Sequence, residues 1–242
     1  MALALDASAP AAVTIAAAGQ PTTASFTPPS GSLLVVLYSA GDTLGGTDES
    51  ITSITNTGTA ITWTRRVRKN RNAASDGGAS TVDGGAEIWT GVGNGTAITV
   101  TVNGVSGDVR LMKVMVLTGA DTSSLANTAA LAAANSTPSL TVPSCLVGSY
   151  VFAASSDQRN RGAGTAGTGQ TIIAEQASAT TNHQWRTTNT LASAGSQTMN
   201  LTAPTGQDYD LVALEVRAGA ASSAPPQRGQ VRTFAVTRAS TY

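Results

Sequence analysis

The sequence predicts an all-β protein: an antiparallel β-sandwich or jelly roll built from two similar halves, with an extended C-terminal arm. Apolar residues recur with a period of two in short runs, and Gly, Asn, Ser and Pro separate these runs. About a dozen such runs occur, a number typical of sandwiches and jelly rolls. Several phrases of the first half of the chain also return in the second half.

Individual strands are predicted where alternation or a continuous apolar run is clear. In the segment 61–68, one face carries Ile61, Trp63 and Val67, and the other face carries polar or charged side chains. The alanine-rich segment 121–135 is the one place where a short helix is expected. The predicted strands are 33–38, 61–68, 86–90, 97–102, 109–117, 139–142, 149–153, 171–175, 184–187, 197–201 and 209–217, with 13–17 as a further candidate.

An internal repeat relates the two halves, about 22–119 and 137–218. The segment 111–119 matches 211–219 at an offset of 100 residues, and Trp89 and Trp185 each precede a polar turn and an alternating strand. Because half of a sandwich cannot bury its own inner face, we expect the halves to pair into one sandwich over 1–218. The predicted core is Leu33, Val35, Leu37, Trp63, Ile98, Val100, Met112, Val114, Val116, Val212, Leu214 and Val216.

Composition and charge exclude several classes of protein. Ala, Thr, Gly and Ser supply 126 of 242 residues, and the 14 basic side chains balance the 14 acidic ones. Without a strong field, neither direct nucleic-acid binding nor membrane attachment is expected. Cys145 and His183 are the only residues of their types, so a disulfide framework and a multi-histidine metal site are excluded. No signal peptide or membrane-spanning run is recognised, which predicts synthesis in the cytoplasm.

Motifs that would indicate catalysis are weak, and an enzyme is not expected. The segment 162–167 spells GxGxxG, but it lacks the preceding strand and the following helix that phosphate binding requires, so a glycine-rich loop is the better interpretation. His183 and Cys145 lie at predicted strands and are interpreted as ordinary core or surface residues. No carboxylate pair stands out, and no cofactor is expected.

Two groups of cations are candidate interaction sites. The first group consists of Arg65, Arg66, Arg68, Lys69 and Arg71. The second group, Arg159 and Arg161, lies in the corresponding region of the other half, and each group precedes a glycine-rich loop. If the halves are related, both groups could lie at one end of the sandwich and contact an acidic neighbour. The alternative is a solvated loop face.

The C-terminal segment 219–242 differs from the rest of the chain. Residues 219–230 have the composition of an extended tether, and 231–238 (VRTFAVTR) read as a strand that contains Phe234. The segment carries a charge of +3, from Arg228, Arg232 and Arg238, which leaves −3 on the remainder of the chain. We predict an arm that pairs with a neighbour's sheet edge. The alternatives are a strand folded onto its own sandwich and a disordered tail.

Several sequence segments, taken in their order along the chain, resemble those of a family of virion structural proteins from tailed bacteriophages. These segments are SGSLLVVLYSA, ITSITNTGTAITWTRRV, AEIWTGVGNGTAITVTV, VMVLTGAD, SLTVPSCLVGSYVFAASS and YDLVALEVRAG, and they cover about 22–219. The family comprises jelly-roll proteins described as minor tail or capsid decoration proteins, particularly in phages of actinobacteria. The resemblance implies a place on the virion, contacts with capsid or tail subunits, and a homo-oligomer, for which a trimer is one expectation. It transfers no catalytic residue.

A second class of function remains open, a carbohydrate- or receptor-binding module on the virion surface with a host glycan as its partner. Such sandwiches stack sugars on exposed aromatic side chains. The placement of the aromatic residues on predicted strands favours a core role instead. These residues are Tyr38, Trp63, Trp89, Tyr150 and Trp185.

Overall fold

The computed structural model describes residues 2–15, 19–42, 50–70, 83–104, 109–125, 127–157, 162–177 and 181–220. These residues form antiparallel β-sheets without a helix, which confirms the predicted all-β sandwich; its jelly-roll form remains a prediction. Within these ranges no helix could span a membrane. The strands are β1 (Ala4–Leu5), β2 (Val13–Ile15), β3 (Leu33–Asp42), β4 (Ser53–Asn56), β5 (Thr64–Asn70), β6 (Asp83–Val92), β7 (Val100–Asn103), β8 (Val109–Thr118), β9 (Thr128–Ser136), β10 (Ser139–Cys145), β11 (Tyr150–Asp157), β12 (Thr165–Ala166), β13 (Gln170–Ala177), β14 (Thr181–Thr187), β15 (Gly195–Ala203) and β16 (Gln207–Val216).

Both halves of the chain pair their strands in the same order. The larger sheet of the N-terminal half has the order β1-β8-β3-β6-β5, with β2 also on β8, and that of the C-terminal half has the order β9-β16-β11-β14-β13. The smaller sheets are β4-β7, beside which residues 22–26 form two bridges, and β10-β15-β12. Strands distant in sequence therefore lie side by side, which is Greek-key connectivity and not a meander.

The described residues form four layers and three apolar cores. Each half packs its smaller sheet on its larger sheet and encloses a core of its own, here called the N-terminal core and the C-terminal core. The two larger sheets pack on each other and enclose the central core. Each larger sheet is therefore covered on one face by the smaller sheet of its own half and on the other face by the larger sheet of the other half.

Burial on both faces explains the longest apolar runs of the sequence. Leu34 and Val36 point into the N-terminal core, while Leu33, Val35 and Leu37 point into the central core. A strand in an outer layer needs apolar residues only at alternate positions, whereas a strand between two cores needs them at every position. Of the twelve predicted core residues eleven are buried, and Trp63 is half-buried at the margin of the N-terminal core.

The repeat has a different register from the one expected. Leu33 pairs with Leu117 in β8, and the equivalent Tyr150 pairs with Val216 in β16, so the offset between β8 and β16 is 99 residues rather than 100. The offset of 99 aligns Leu117 with Val216, and both lie in the central core. An offset of 100 would exchange the two faces of the strand, because side chains alternate with a period of two.

The segment predicted to hold a helix forms an edge strand instead. Residues Thr128–Ser136 make up β9, which pairs with β16 from Leu214 to Gln207. Alanine favours helix in isolation, but here the partner strand supplies backbone hydrogen bonds and small side chains fit against the neighbouring layers. Tertiary pairing thus overrides local propensity.

A bulge changes the predicted faces of the segment 61–68. The strand β5 begins only at Thr64, and its register with β6 shifts between Arg65 and Val67. Trp63 consequently packs against the N-terminal core, while Val67 packs against the central core. The extra residue of a bulge reverses the facing of all that follow it, so the simple alternation predicted for this segment was wrong.

Candidate functional site

Four cations of the first group, Arg65, Arg66, Arg68 and Lys69, lie along the edge strand β5. By register, Arg65 and Arg68 lie opposite Trp89 and Glu87 on the face of the N-terminal core, and Lys69 lies on the other face. Arg66, at the bulge, donates from Nε to the hydroxyl of Thr90 at 2.7 Å. The remaining predicted interaction residues lie outside the described ranges: Arg71, Arg159, Arg161, Arg228, Arg232, Phe234 and Arg238.

Glu87 is a buried carboxylate at the centre of this region. Only 1% of its surface is exposed; Oε1 accepts a hydrogen bond from the Ile51 amide at 2.8 Å, and Oε2 accepts one from Trp89 Nε1 at 2.7 Å. The Arg65 guanidinium lies 4.0 Å from Oε2. Burial raises the pKa of Glu87 to about 7, against the opposing effects of these hydrogen bonds and of Arg65 and Arg68.

Two tryptophans and an arginine form a half-exposed patch above Glu87, here called the indole surface (Trp63, Arg65 and Trp89). The Arg65 guanidinium lies 5.8 Å from the centre of the Trp89 ring, within cation–π range. Trp63 Nε1 donates to Asn56 Oδ1 at 3.3 Å, which fixes that ring at the margin of the core. Gly91 lies beneath Trp63, and a side chain there would collide with the ring.

The C-terminal half places His183 at the position equivalent to Glu87. Ser155, His183 and Glu175 lie in register on the adjacent strands β11, β14 and β13, and His183 Nε2 lies 3.7 Å from a carboxylate oxygen of Glu175. Burial lowers the pKa of His183, against the opposing charge of Glu175. Both His183 and Ser155 have no exposed surface and lie inside the sandwich, whereas Glu175 on the edge strand is exposed.

The glycine-rich motif packs over this histidine. The segment leads into the short strand β12 (Thr165–Ala166) and not into a helix. A Cβ on Gly164 would lie 2.8 Å from His183 Nε2, and one on Gly167 would collide with the Asn200 amide. Two of the three glycines are therefore required by close packing.

Glu215 is another buried glutamate, with 1% of its surface exposed. Its carboxylate accepts hydrogen bonds from Leu146 N, Ser149 Oγ, Asn127 Nδ2 and Arg217 Nε at 2.5–2.9 Å. Burial acts to raise the pKa of Glu215, but these donors together hold it below the ordinary value. The group is a saturated structural anchor.

Cys145 lies beside this anchor. It is a free, buried thiol whose pKa is raised to about 11 by burial and, to a lesser extent, by the charge of Glu215. A thiol with such a pKa is protonated at neutral pH and is a poor nucleophile, which is consistent with a role in packing.

Sequence reasoning missed the buried glutamates Glu87 and Glu215. A signal was present, because Glu87 and Glu215 each stand between apolar residues within a strand, where an ordinary surface acid is not expected. Within the described part of the chain, no group of three or more His, Cys, Asp or Glu side chains could hold a metal ion. No family model, curated protein or solved structure matches this chain.

Proposed function

We propose that the chain is a non-enzymatic structural protein of a tailed-phage virion. It decorates or stabilises the capsid or tail surface through contacts with other virion subunits and with copies of itself, after synthesis in the cytoplasm of the bacterial host. The proposal rests on the separation between a body that closes around three cores and a following segment whose sequence predicts a strand.

The end of the body is the observation that carries the proposal. The last long strand, β16, ends at Val216, and Ala218 pairs with Ala120 before the described chain ends at residue 220. The segment 219–242 then brings a charge of +3 to a body that carries −3. Opposite charge on arm and body favours association between copies and guides its orientation.

The test compares the full-length chain with residues 1–218 by size exclusion with light scattering. We expect the full chain to oligomerise and the truncated chain to be a folded monomer, because both halves keep their cores. Incorporation into virions, scored by mass spectrometry of purified particles, should be lost with the truncation. Equal incorporation of both forms would show that the arm is not needed for assembly onto virions.

The indole surface favours a second candidate, a module that binds a glycan on the host. Trp63 and Trp89 are half-buried, unlike Trp185, which is completely buried and donates to Gln170 Oε1 at 2.9 Å. An exposed indole face beside a guanidinium can stack on a sugar ring and hydrogen-bond its hydroxyls. Glycan-array binding that is lost in Trp89→Leu and retained in Val92→Ala, a change of an exposed neighbour on the same strand, would favour this candidate.

A further inference from the structure

The edges of the sheets differ in their protection against pairing with another chain. Exposed edges are normally blocked by charge, proline, bulges or shortness. The edge strand β5 carries four cations, β13 carries Glu175 and a register shift after Ile172, and β10 carries Pro143 within a register shift. The strands β1, β2, β4 and β12 have only two to four residues each.

The edge strand β9 is the exception among the described strands. Its nine residues include no charged side chain, proline or glycine. Pairing with β16 is regular from Thr128 to Ala133, and the irregularity comes only afterwards, at Asn135, whose φ is 50°. Leu131, in the middle of the regular part, is 38% exposed. An uncharged edge of regular register with an exposed leucine is suited to accept a further strand.

The chain leaves the body next to this edge. The Glu215 amide donates to Asn127 O at 2.9 Å, and the Gly219 amide donates to Gly119 O at 2.8 Å, so β9 begins at the end of the sheet where the described chain stops. Residues 221–230 can span about 33 Å when extended. The regular part of β9 is roughly 20 Å long, which the predicted strand 231–238 is long enough to cover.

We propose that the β9 edge accepts residues 231–238 of a second copy of this chain as an additional antiparallel strand. The inference rests on the proposed function, since it names the acceptor of the arm. One face of the predicted strand carries Phe234 and Val236, which are suited to cover Leu131. Pro225 and Pro226 favour an extended tether, which directs the strand away from its own body and towards a neighbour.

The test measures solution mass together with amide hydrogen exchange of Thr128, Ala130 and Ala132, the residues of 128–133 whose amides face away from β16. We expect exchange there to be at least about tenfold slower in the full chain than in residues 1–218, because the added strand protects the edge amides. Leu131→Lys in the full chain should abolish both this protection and the oligomer. The matched control is Val92→Lys, since Val92 is a similarly exposed apolar residue, 45%, on β6 of the N-terminal half, and should change neither.

The outcomes separate this inference from the proposed function. If the full chain oligomerises through the arm but Leu131→Lys has no effect, the arm binds elsewhere and only the β9 inference fails. If the full chain is a monomer with the same edge amides protected, the occupant is the chain's own segment, and the second copy is wrong. If the full chain and residues 1–218 are both monomers with equal exchange, the arm proposal and the β9 inference fail together.

Discussion

At the scale of single residues, the two halves place opposite chemistry at equivalent buried positions. Glu87 lies opposite Arg68 of an edge strand, and its counterpart His183 lies opposite Glu175 of the other edge strand. Each buried ionisable group therefore faces a residue of opposite charge type on the outer strand. Such arrangements reduce the cost of burial but leave the protonation state of the buried group sensitive to pH.

Glu87 should make stability depend on pH. Its folded pKa, about 7, lies above the ordinary 4.5, so its stabilising contribution is complete below pH 4.5 and is lost as the pH rises through 7. The loss amounts to roughly 3 kcal/mol of unfolding free energy. We expect Glu87→Gln to flatten this decline between pH 5 and pH 8 in urea-unfolding titrations. An unchanged slope in the variant would show that Glu87 does not titrate in this range.

Glu215 should make stability depend on pH in the opposite direction. Its pKa is lowered in the folded protein, so its contribution is present above the ordinary value and is lost as the pH falls through the folded pKa. Glu215→Gln should therefore destabilise the protein at pH 7 and have less effect at pH 3. The same urea titrations measure both variants, and parallel curves for the two substitutions would contradict the assignment of opposite shifts.

At the scale of elements, alternation and turn residues predict most of the strands, whereas neighbours decide the exceptions. The continuous apolar run 33–38 predicts β3 clearly, because both faces of that strand are buried. The strand β9 could not be predicted, since its partner β16 lies about 80 positions away in sequence and only their pairing outweighs the helical preference of alanine. The bulge at Arg66 is equally invisible in a pattern of alternating residues.

The candidate site was predictable only in part. The density of cations pointed to the correct strand, but their distribution over its two faces depends on the bulge. Trp63 and Trp89 are partly exposed because they pack at the margin of the N-terminal core, which only the assembled sheets define. Glu87 and Glu215 each have one hydrogen-bond partner two positions along the chain, but the others, such as Ile51 and Leu146, are more than 30 positions distant and lie outside any local pattern.

The glycine-rich approach to β12 gives a prediction at the same scale. Gly164→Ala should destabilise the protein by about 1–3 kcal/mol, because the new methyl group would overlap the buried His183 ring. Gly162→Ala is the matched control within the same motif, since the nearest atom to its Cβ is Pro204 Cβ at 3.6 Å. Thermal unfolding of the two variants measures the difference. Equal melting temperatures would contradict the packing role of the motif.

At the scale of the whole molecule, polar groups complete the contact between the halves. Gln184 points from the C-terminal half across the interface, and its Nε2 donates to Leu37 O at 3.2 Å, Ser39 Oγ at 3.3 Å and Leu111 O at 3.0 Å. Ser156 Oγ donates to Ala40 O across the same interface. The apolar central core provides the area of this contact, and these directional bonds fix its register.

Separating the halves tests this arrangement. Residues 1–119 retain the N-terminal core but expose the central face of the larger sheet, so we expect a β-rich protein that self-associates in light scattering. Addition of residues 120–218 should convert it to a one-to-one complex. Gln184→Ala should weaken that complex about 5- to 100-fold, because buried acceptors lose their donor, while Gln197→Ala on the smaller sheet should have no effect. A soluble monomer of residues 1–119 would show that the central core is dispensable.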